Sequence, residues 1–199
     1  MDVTLVTTNA GKVREVRALL APWGLRVTWT RRSLLEPQAD SLHEVARAKL
    51  RQVTGVPGCV MVEDSGLFID ALGGFPGVYS APIYRMWKFG PILELLRERP
   101  RRASFRTVVG LRRGRRTWTF EGVCRGEIVP TPREEGGFGF DPIFRPVGAN
   151  VTFAEMSIAE KGRSSHRAKA FREVARFLTR QRRASEADRA TPSRRRAKV

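Results

Sequence analysis

The first thirty residues constrain the fold most. Val3, Leu5 and Val6 form a short apolar run, and the polar segment of residues 7–12 follows it. Val13, Val16, Leu19 and Leu20 then recur at helical spacing, and Pro22 and Gly24 punctuate the end. Residues 25–30 read as a second strand. A strand–loop–helix–strand opening can bury its apolar faces only if the helix covers a sheet, so the pattern predicts an α/β fold.

The rest of the chain extends that reading. A polar stretch around Glu36 and Asp40 leads into a helix over about 41–53, which stops before Gly55 and Gly58. Cys59, Val60, Met61 and Val62 read as a buried strand that delivers Glu63, Asp64, Ser65 and Gly66 at its C-terminal end. Open α/β sheets bind ligands at such ends. Residues 73–79 form a Gly/Pro loop, and 91–97 read as helical. From 103 to 129 the pattern becomes antiparallel strands, with Phe105, Thr107, Val109 and Leu111 alternating and a turn at Arg113-Gly114. Residues 136–142 are a second tight loop. A final helix over about 164–180, with Ser164 or Ser165 as its N-cap, places Phe171, Val174 and Leu178 on one face. The expectation is an elongated mixed β-sheet flanked by helices, in two lobes with the active-site cleft between them.

Charge narrows the function. The 199 residues carry 37 Lys+Arg against 20 Asp+Glu, a net +17. Eight of those cations and two of the acids lie in 180–199, which leaves +11 on the first 179 residues. The tail has almost no apolar residues to offset its ordering entropy, so 181–199 is expected to be a disordered extension of a domain spanning 1–180. A basic body suits nucleic acid, and equally a small polyphosphate. No apolar run approaches the ~20 residues that span a bilayer, which excludes a membrane protein. The first residues lack the pattern of a signal peptide, and Cys59 and Cys124 lack metal-ligand spacing, so a reduced, cytoplasmic protein is expected.

Four segments carry chemistry. Thr7, Thr8, Asn9, Ala10, Gly11 and Lys12 join a strand to a helix, where free N–H groups and a lysine suit polyphosphate, although an ordinary capping turn looks the same. Asp64, with Glu36 as a partner carboxylate, suits Mg²⁺, which takes one or two carboxylates plus phosphate oxygens; a turn acid is the alternative. Phe138, Gly139, Phe140 and Asp141 could stack a base and accept a hydrogen bond from its edge, or be core aromatics on a turn. Lys161, His166 and Arg167 cluster near the start of the last helix and suit an anion or a base edge. His43 lies within a helix and is given no role.

Together these segments resemble the inosine triphosphate pyrophosphatase (XTP/dITP diphosphatase) family, in its archaeal form. The matching stretches are TTNAGKVREV (7–16), VEDSGLFIDALGGFPGVYSA (62–81), GGFGFDPIF (136–144) and FAEMSIAEKGRSSHRAKA (153–170). The resemblance implies hydrolysis of ITP, dITP or XTP to the monophosphate and pyrophosphate, with Mg²⁺ as cofactor and a homodimer as the assembly. It implies that residues 7–12 hold phosphates and that Lys49 reaches one. It makes Asp64 a metal ligand and the acceptor of a proton from the attacking water, with Glu36 as second ligand. Ser65 would touch substrate, residues 138–141 would form the base site, and Lys161, His166 and Arg167 would complete the pocket. Lys12 and Lys161 would offset charge on the leaving pyrophosphate. Thr8, Glu63, Phe140 and Gly162 depart from residues common in the family, and none of these departures removes a catalytic group. The competing expectation is a nucleic-acid-binding protein that uses its basic tail.

Overall fold

The computed structural model describes residues 1–133 and 136–190. Its opening is the expected unit: β1 (Asp2–Val6), α1 (Ala10–Leu20) and β2 (Arg26–Thr30), with β1 and β2 parallel. Next come α2 (Leu42–Gln52), β3 (Cys59–Ile69), α3 (Ser80–Trp87) and α4 (Gly90–Leu95). The second half holds β4 (Arg102–Arg113), β5 (Arg116–Ile128), β6 (Phe144–Pro146), α5 (Ile158–Ser164) and α6 (His166–Ala190). The six strands form one mixed sheet in the order β2-β1-β3-β4-β5-β6.

The sheet changes character at β3. On one side β1 pairs with it in parallel, through Thr4↔Val60 and Leu5↔Met61 only. On the other side β4 pairs with it antiparallel from Cys59↔Arg113 to Ile69↔Ala103. So β3 does not stop at Val62, as its apolar run suggested. It continues through Glu63, Asp64, Ser65 and Gly66, because the ladder to β4 persists after β1 has ended. The acids therefore sit in mid-strand, and the end that opens beside them is that of β1.

Most of β3 and β4 is buried on both faces. Val108 packs with Leu42 and Ala46 of α2, whereas Val109 and Leu111 pack with Phe171, Val174 and Leu178 of α6. Each such side chain contributes about 1.5–3 kcal/mol on burial. The core falls into two large clusters at opposite ends of β3 and β4. One joins β1, α1 and α6 to Met61 and Leu111; the other joins Leu67, Ile69, Phe105, Ile128, Phe144 and Phe153 to Ile92 of α4 and Leu96, which caps it. Glu63, Asp64 and Ser65 lie between them along β3.

Gly122 of β5 sets how α6 docks, since a Cβ there would stand 2.1 Å from the His166 carbonyl oxygen and 2.4 Å from the Ala170 nitrogen. Two local expectations are corrected. A separate helix, α5, precedes α6, started by a capping box in which Ser157 and Glu160 satisfy each other's backbone N–H groups. Ser165 caps α6 by accepting from the Ala168 N–H at 3.1 Å, and the helix runs to Ala190 instead of ending near 180. Arg, Gln, Ala and Glu, which favour helix, make up most of that added stretch, so the segment expected to be disordered is helical as far as residue 190. Residues 191–199 of the expected tail lie outside the described residues. Among the described residues no helix is long and apolar enough to cross a membrane. Both cysteines are buried and free.

Candidate active site

The loop leaving β1 is organised by its own side chains. Thr7 Oγ1 accepts from the Asn9 N–H at 3.1 Å, and Asn9 Oδ1 accepts from the Lys12 N–H at 3.1 Å, which caps α1. The cap fixes the first turn, and Lys12 reaches Glu63 Oε1 at 2.8 Å. Gly11 lets the aromatic loop approach: a Cβ there would stand 3.0 Å from the Phe138 ring.

Beside this loop two carboxylates meet on one ammonium group. Lys49, brought in by α2 and only 7% exposed, places Nζ 2.6 Å from Glu36 Oε1 and in a close ion pair with Asp64. Burial pushes the Asp64 carboxyl above the ordinary range; Lys49 and Lys12 oppose that, and Glu36 adds to it. Burial also acts to raise Glu36, but Lys49, then Lys12 and Arg85, hold it below its usual value. Lys49 stays protonated, since Asp64 and Glu36 outweigh its burial. Hard oxygen donors arranged around a cation suit Mg²⁺. Among the described residues no group of three or more His, Cys, Asp or Glu could hold a metal. The fitting arrangement is therefore these two carboxylates with substrate phosphate oxygens as the remaining ligands.

A second charged cluster is almost wholly buried. Arg167, 1% exposed, donates through Nε to Glu63 at 2.7 Å and through Nη1 to Glu15 at 2.6 Å, and reaches Ser65 Oγ at 3.3 Å. Lys161 Nζ lies 2.7 Å from Asp141 and 3.2 Å from Glu15. Burial alone would neutralise these groups. Arg167, with Lys12 behind it, instead drives Glu63 far below the carboxylate range, and Glu63 and Glu15 raise Arg167. Asp141 moves the other way, because burial outweighs its contact with Lys161. His166 stacks on Phe105 at 4.7 Å between ring centroids. Its Nδ1 is buried with no hydrogen-bond partner, and burial plus the Arg167 charge hold the ring neutral, well below the usual histidine value.

These groups line two cavities. The larger, about 590 Å³, is walled by Thr7, Thr8, Asn9, Lys12, Glu36, Lys49 and Glu63. The smaller, about 300 Å³, is walled by Ser65, Tyr84, Phe105, Phe138, His166 and Arg167. Asn9, Lys12, Ala81 and Arg85 belong to both, so the two cavities adjoin. Gly139, Phe140 and Asp141 also touch the smaller one, although Phe140 is 2% exposed and packs its ring edge-on against Tyr84. Ala10 and Gly11 line neither cavity, and Asp64 reaches the larger one only through Lys49. Lys161 also lines neither, and its ammonium lies 5.4 Å from the Phe138 ring centre. Asp141 and Glu15 hold it beside the aromatic loop, apart from Lys12 and Lys49.

Three contributors escaped the sequence reading. Glu15 is an acid three residues after Lys12 on the buried face of α1, and that isolated acid was its signal. Arg85 and Tyr84 sit on α3, within a stretch that carries no phosphate- or metal-binding pattern. His43 bonds Thr119 at 3.1 Å, away from both cavities.

Known proteins resemble this chain in sequence and fold. The model of the Ham1 family matches residues 3–177. A dITP/XTP pyrophosphatase of Thermococcus kodakarensis is 46% identical over 180 residues, covering 89% of this chain and 97% of its own. The protein of the same name from Methanopyrus kandleri is also 46% identical, covering 88% of this chain and 95% of its own. The Staphylococcus aureus Ham1 protein superposes with a TM-score of 0.76 at 27% identity, over 91% of this chain and all of its own length. A Coxiella burnetii HAM1 protein gives 0.75 at 29% identity, over 90% of this chain and 99% of its own. By its match to the family model from residue 3 to residue 177, and by relatives that it spans almost end to end, the chain belongs to the Ham1 family.

Proposed function

We propose that the protein hydrolyses non-standard purine nucleoside triphosphates (ITP, dITP and XTP) to the monophosphate and pyrophosphate, and so cleanses the nucleotide pool. The observation that carries this reading is the pair of adjoining cavities. One is lined by cations, carboxylates and a helix N-terminus, the other by aromatic rings, and they meet at Asn9, Lys12, Ala81 and Arg85. A nucleoside triphosphate has the same division into a polyanion and a flat ring.

In this reading Glu36 and Asp64 hold Mg²⁺, which when bound neutralises charge on the phosphate oxygens. Residues Thr7, Thr8, Asn9 and Lys12 bind the phosphates, and Lys49 keeps the two carboxylates together. Asp64 accepts a proton from the water that attacks the α-phosphorus. Phe138 stacks on the purine, Ser65 and Asp141 position it, and His166 and Arg167 face its edge. Selection against adenine follows from a donor opposite the 6-oxo position. There it would meet adenine's amino group and leave two buried donors unpaired, at about 1–3 kcal/mol each.

The active unit in this reading is residues 1–180, working as a cytoplasmic homodimer. Contact with nucleic acid is confined to 181–199. The test is a panel of triphosphates scored by pyrophosphate release with and without Mg²⁺. Release from ITP and XTP, little release from ATP and loss without the metal are expected. Equal cleavage of all purine triphosphates would overturn the reading.

A further inference from the structure

The cations around the two cavities differ in what they already hold. Lys12 is paired with Glu63, Lys49 with Glu36 and Asp64, and Arg167 with Glu15 and Glu63. Each is neutralised before any ligand arrives. Arg85 is the exception among the charged side chains common to both cavities. It is exposed on α3, and among the described residues it forms no ion pair and donates no side-chain hydrogen bond. Its charge is nevertheless felt inside, since it helps to hold Glu36 ionised.

Its position is more informative than its charge. Of the residues shared by both cavities, Asn9 and Lys12 come from the β1–α1 side, and Ala81 and Arg85 from α3. A nucleotide with its ring in the smaller cavity and its polyphosphate in the larger crosses this junction at the α-phosphate, which is where cleavage occurs. The Asn9 carbonyl oxygen of the side chain is already taken by the Lys12 N–H, and Lys12 by Glu63. An unpaired guanidinium across the junction has a fork of donors free for phosphate oxygens.

We propose that Arg85 is a substrate-contacting catalytic residue that binds the non-bridging oxygens of the α-phosphate and offsets charge there as the bond to pyrophosphate breaks. The inference rests on the pyrophosphatase reading and extends it to a residue of α3 that lines both cavities. A donor aimed at charge that develops in the transition state acts mainly on kcat, by roughly 100-fold. A planar fork is not replaced by a point charge, so lysine restores only part of the effect.

The test compares Arg85→Ala and Arg85→Lys with the wild type in two assays. The first is Mg²⁺-dependent ITP hydrolysis, where Arg85→Ala is expected to lower kcat/KM roughly 100-fold, mostly in kcat, with Arg85→Lys in between. The second is calorimetric binding of IMP and of inosine, which needs no turnover. Arg85→Ala is expected to weaken IMP about tenfold and leave inosine unchanged, because only IMP carries the phosphate. Wild-type kcat in Arg85→Ala, or equal weakening of IMP and inosine, would overturn the proposal. If the wild type released no pyrophosphate, the pyrophosphatase reading would fall, and the IMP–inosine difference would still decide whether Arg85 holds that phosphate. Since Arg85 is exposed and forms no ion pair among the described residues, the variants should melt like the wild type.

Discussion

The two charged clusters of this molecule use the same residue types to opposite ends. Around Arg167 every charge is buried and every partner is another part of the chain: Glu63 on β3, Glu15 on α1, and, through Glu15, Lys161 on α5 and Asp141. Around Lys49 the cluster reaches an open cavity through Lys49 and Glu36, the latter exposed at 42% of its side chain, with Asp64 buried behind them. The first cluster ties α1, α5 and α6 to β3 and fixes the wall of the aromatic cavity. The second holds two carboxylates close together with a cation between them, in reach of whatever enters. A buried network of this kind gives rigidity at a high desolvation cost, and only a solvent-facing one can exchange its partners for a ligand.

Breaking each cluster should therefore produce different kinds of damage. Asp64→Asn, on the open side, is expected to lower pyrophosphate release from ITP by about 1,000-fold or more while thermal melting changes little. A variant that melted far below the wild type would assign Asp64 a structural role instead. Glu63→Gln, on the closed side, leaves Arg167 and Lys12 short of a charge in a buried site. Removal of one partner of such a pair costs about 3–5 kcal/mol, which chemical denaturation should report. Glu15→Gln should behave alike, since Glu15 is shared by Arg167 and Lys161. Glu15 lines neither cavity, so if Glu15→Gln lost activity with unchanged stability, the closed cluster would be catalytic and the distinction would fail.

The open cluster was easier to read from sequence than the closed one. Thr7, Asn9, Lys12, Asp64 and Phe138 announce themselves in short segments, because phosphate and metal chemistry needs particular residues at loop and strand ends. Glu15 and Glu63 act through partners as much as 152 residues away, and no local pattern encodes that pairing. The same physics governs the fold. The βαβ start and the β4–β5 hairpin follow from local periodicity. The continuation of β3 through Glu63 and Asp64 does not, since polar residues in mid-strand are stable there only because β4 supplies their backbone partners. The capping box at Ser157 and Glu160 was a legible signal for α5 that the long polar stretch obscured. The extra turns of α6 have helix-favouring residues but no apolar face to show it.

A smaller effect separates the two sides by pH. His166 lies against the closed cluster, and its folded value is depressed well below the ordinary 6.5. The unfolded chain therefore takes up a proton that the folded chain refuses as pH falls below about 6.5. Stability is full above that point and declines below it, by up to about 1.4 kcal/mol per pH unit until the folded histidine also titrates. His166→Asn should flatten that part of the profile in denaturation curves measured between pH 7 and 5. An unchanged slope would mean that other groups carry it.

The smallest effect on catalysis is expected from the last residues. The two cavities are lined by residues no later than Arg167 in the chain, and the aromatic and aliphatic contacts of α6 with the sheet end at Leu178. Beyond that point Arg180, Arg182 and Arg183 are exposed, and Arg182 has only a loose contact with Glu186 at 3.7 Å. Deletion of 181–199 should then leave kcat/KM for ITP within about twofold and stability within about 0.5 kcal/mol, as for surface changes elsewhere. The same deletion should abolish any binding to a labelled oligonucleotide whose affinity falls steeply between 50 and 200 mM salt, since such binding rests on counterion release. A truncated protein that kept that salt-sensitive binding would move the polyanion contact onto the body, whose +12 over residues 1–180 would then serve more than the substrate cleft.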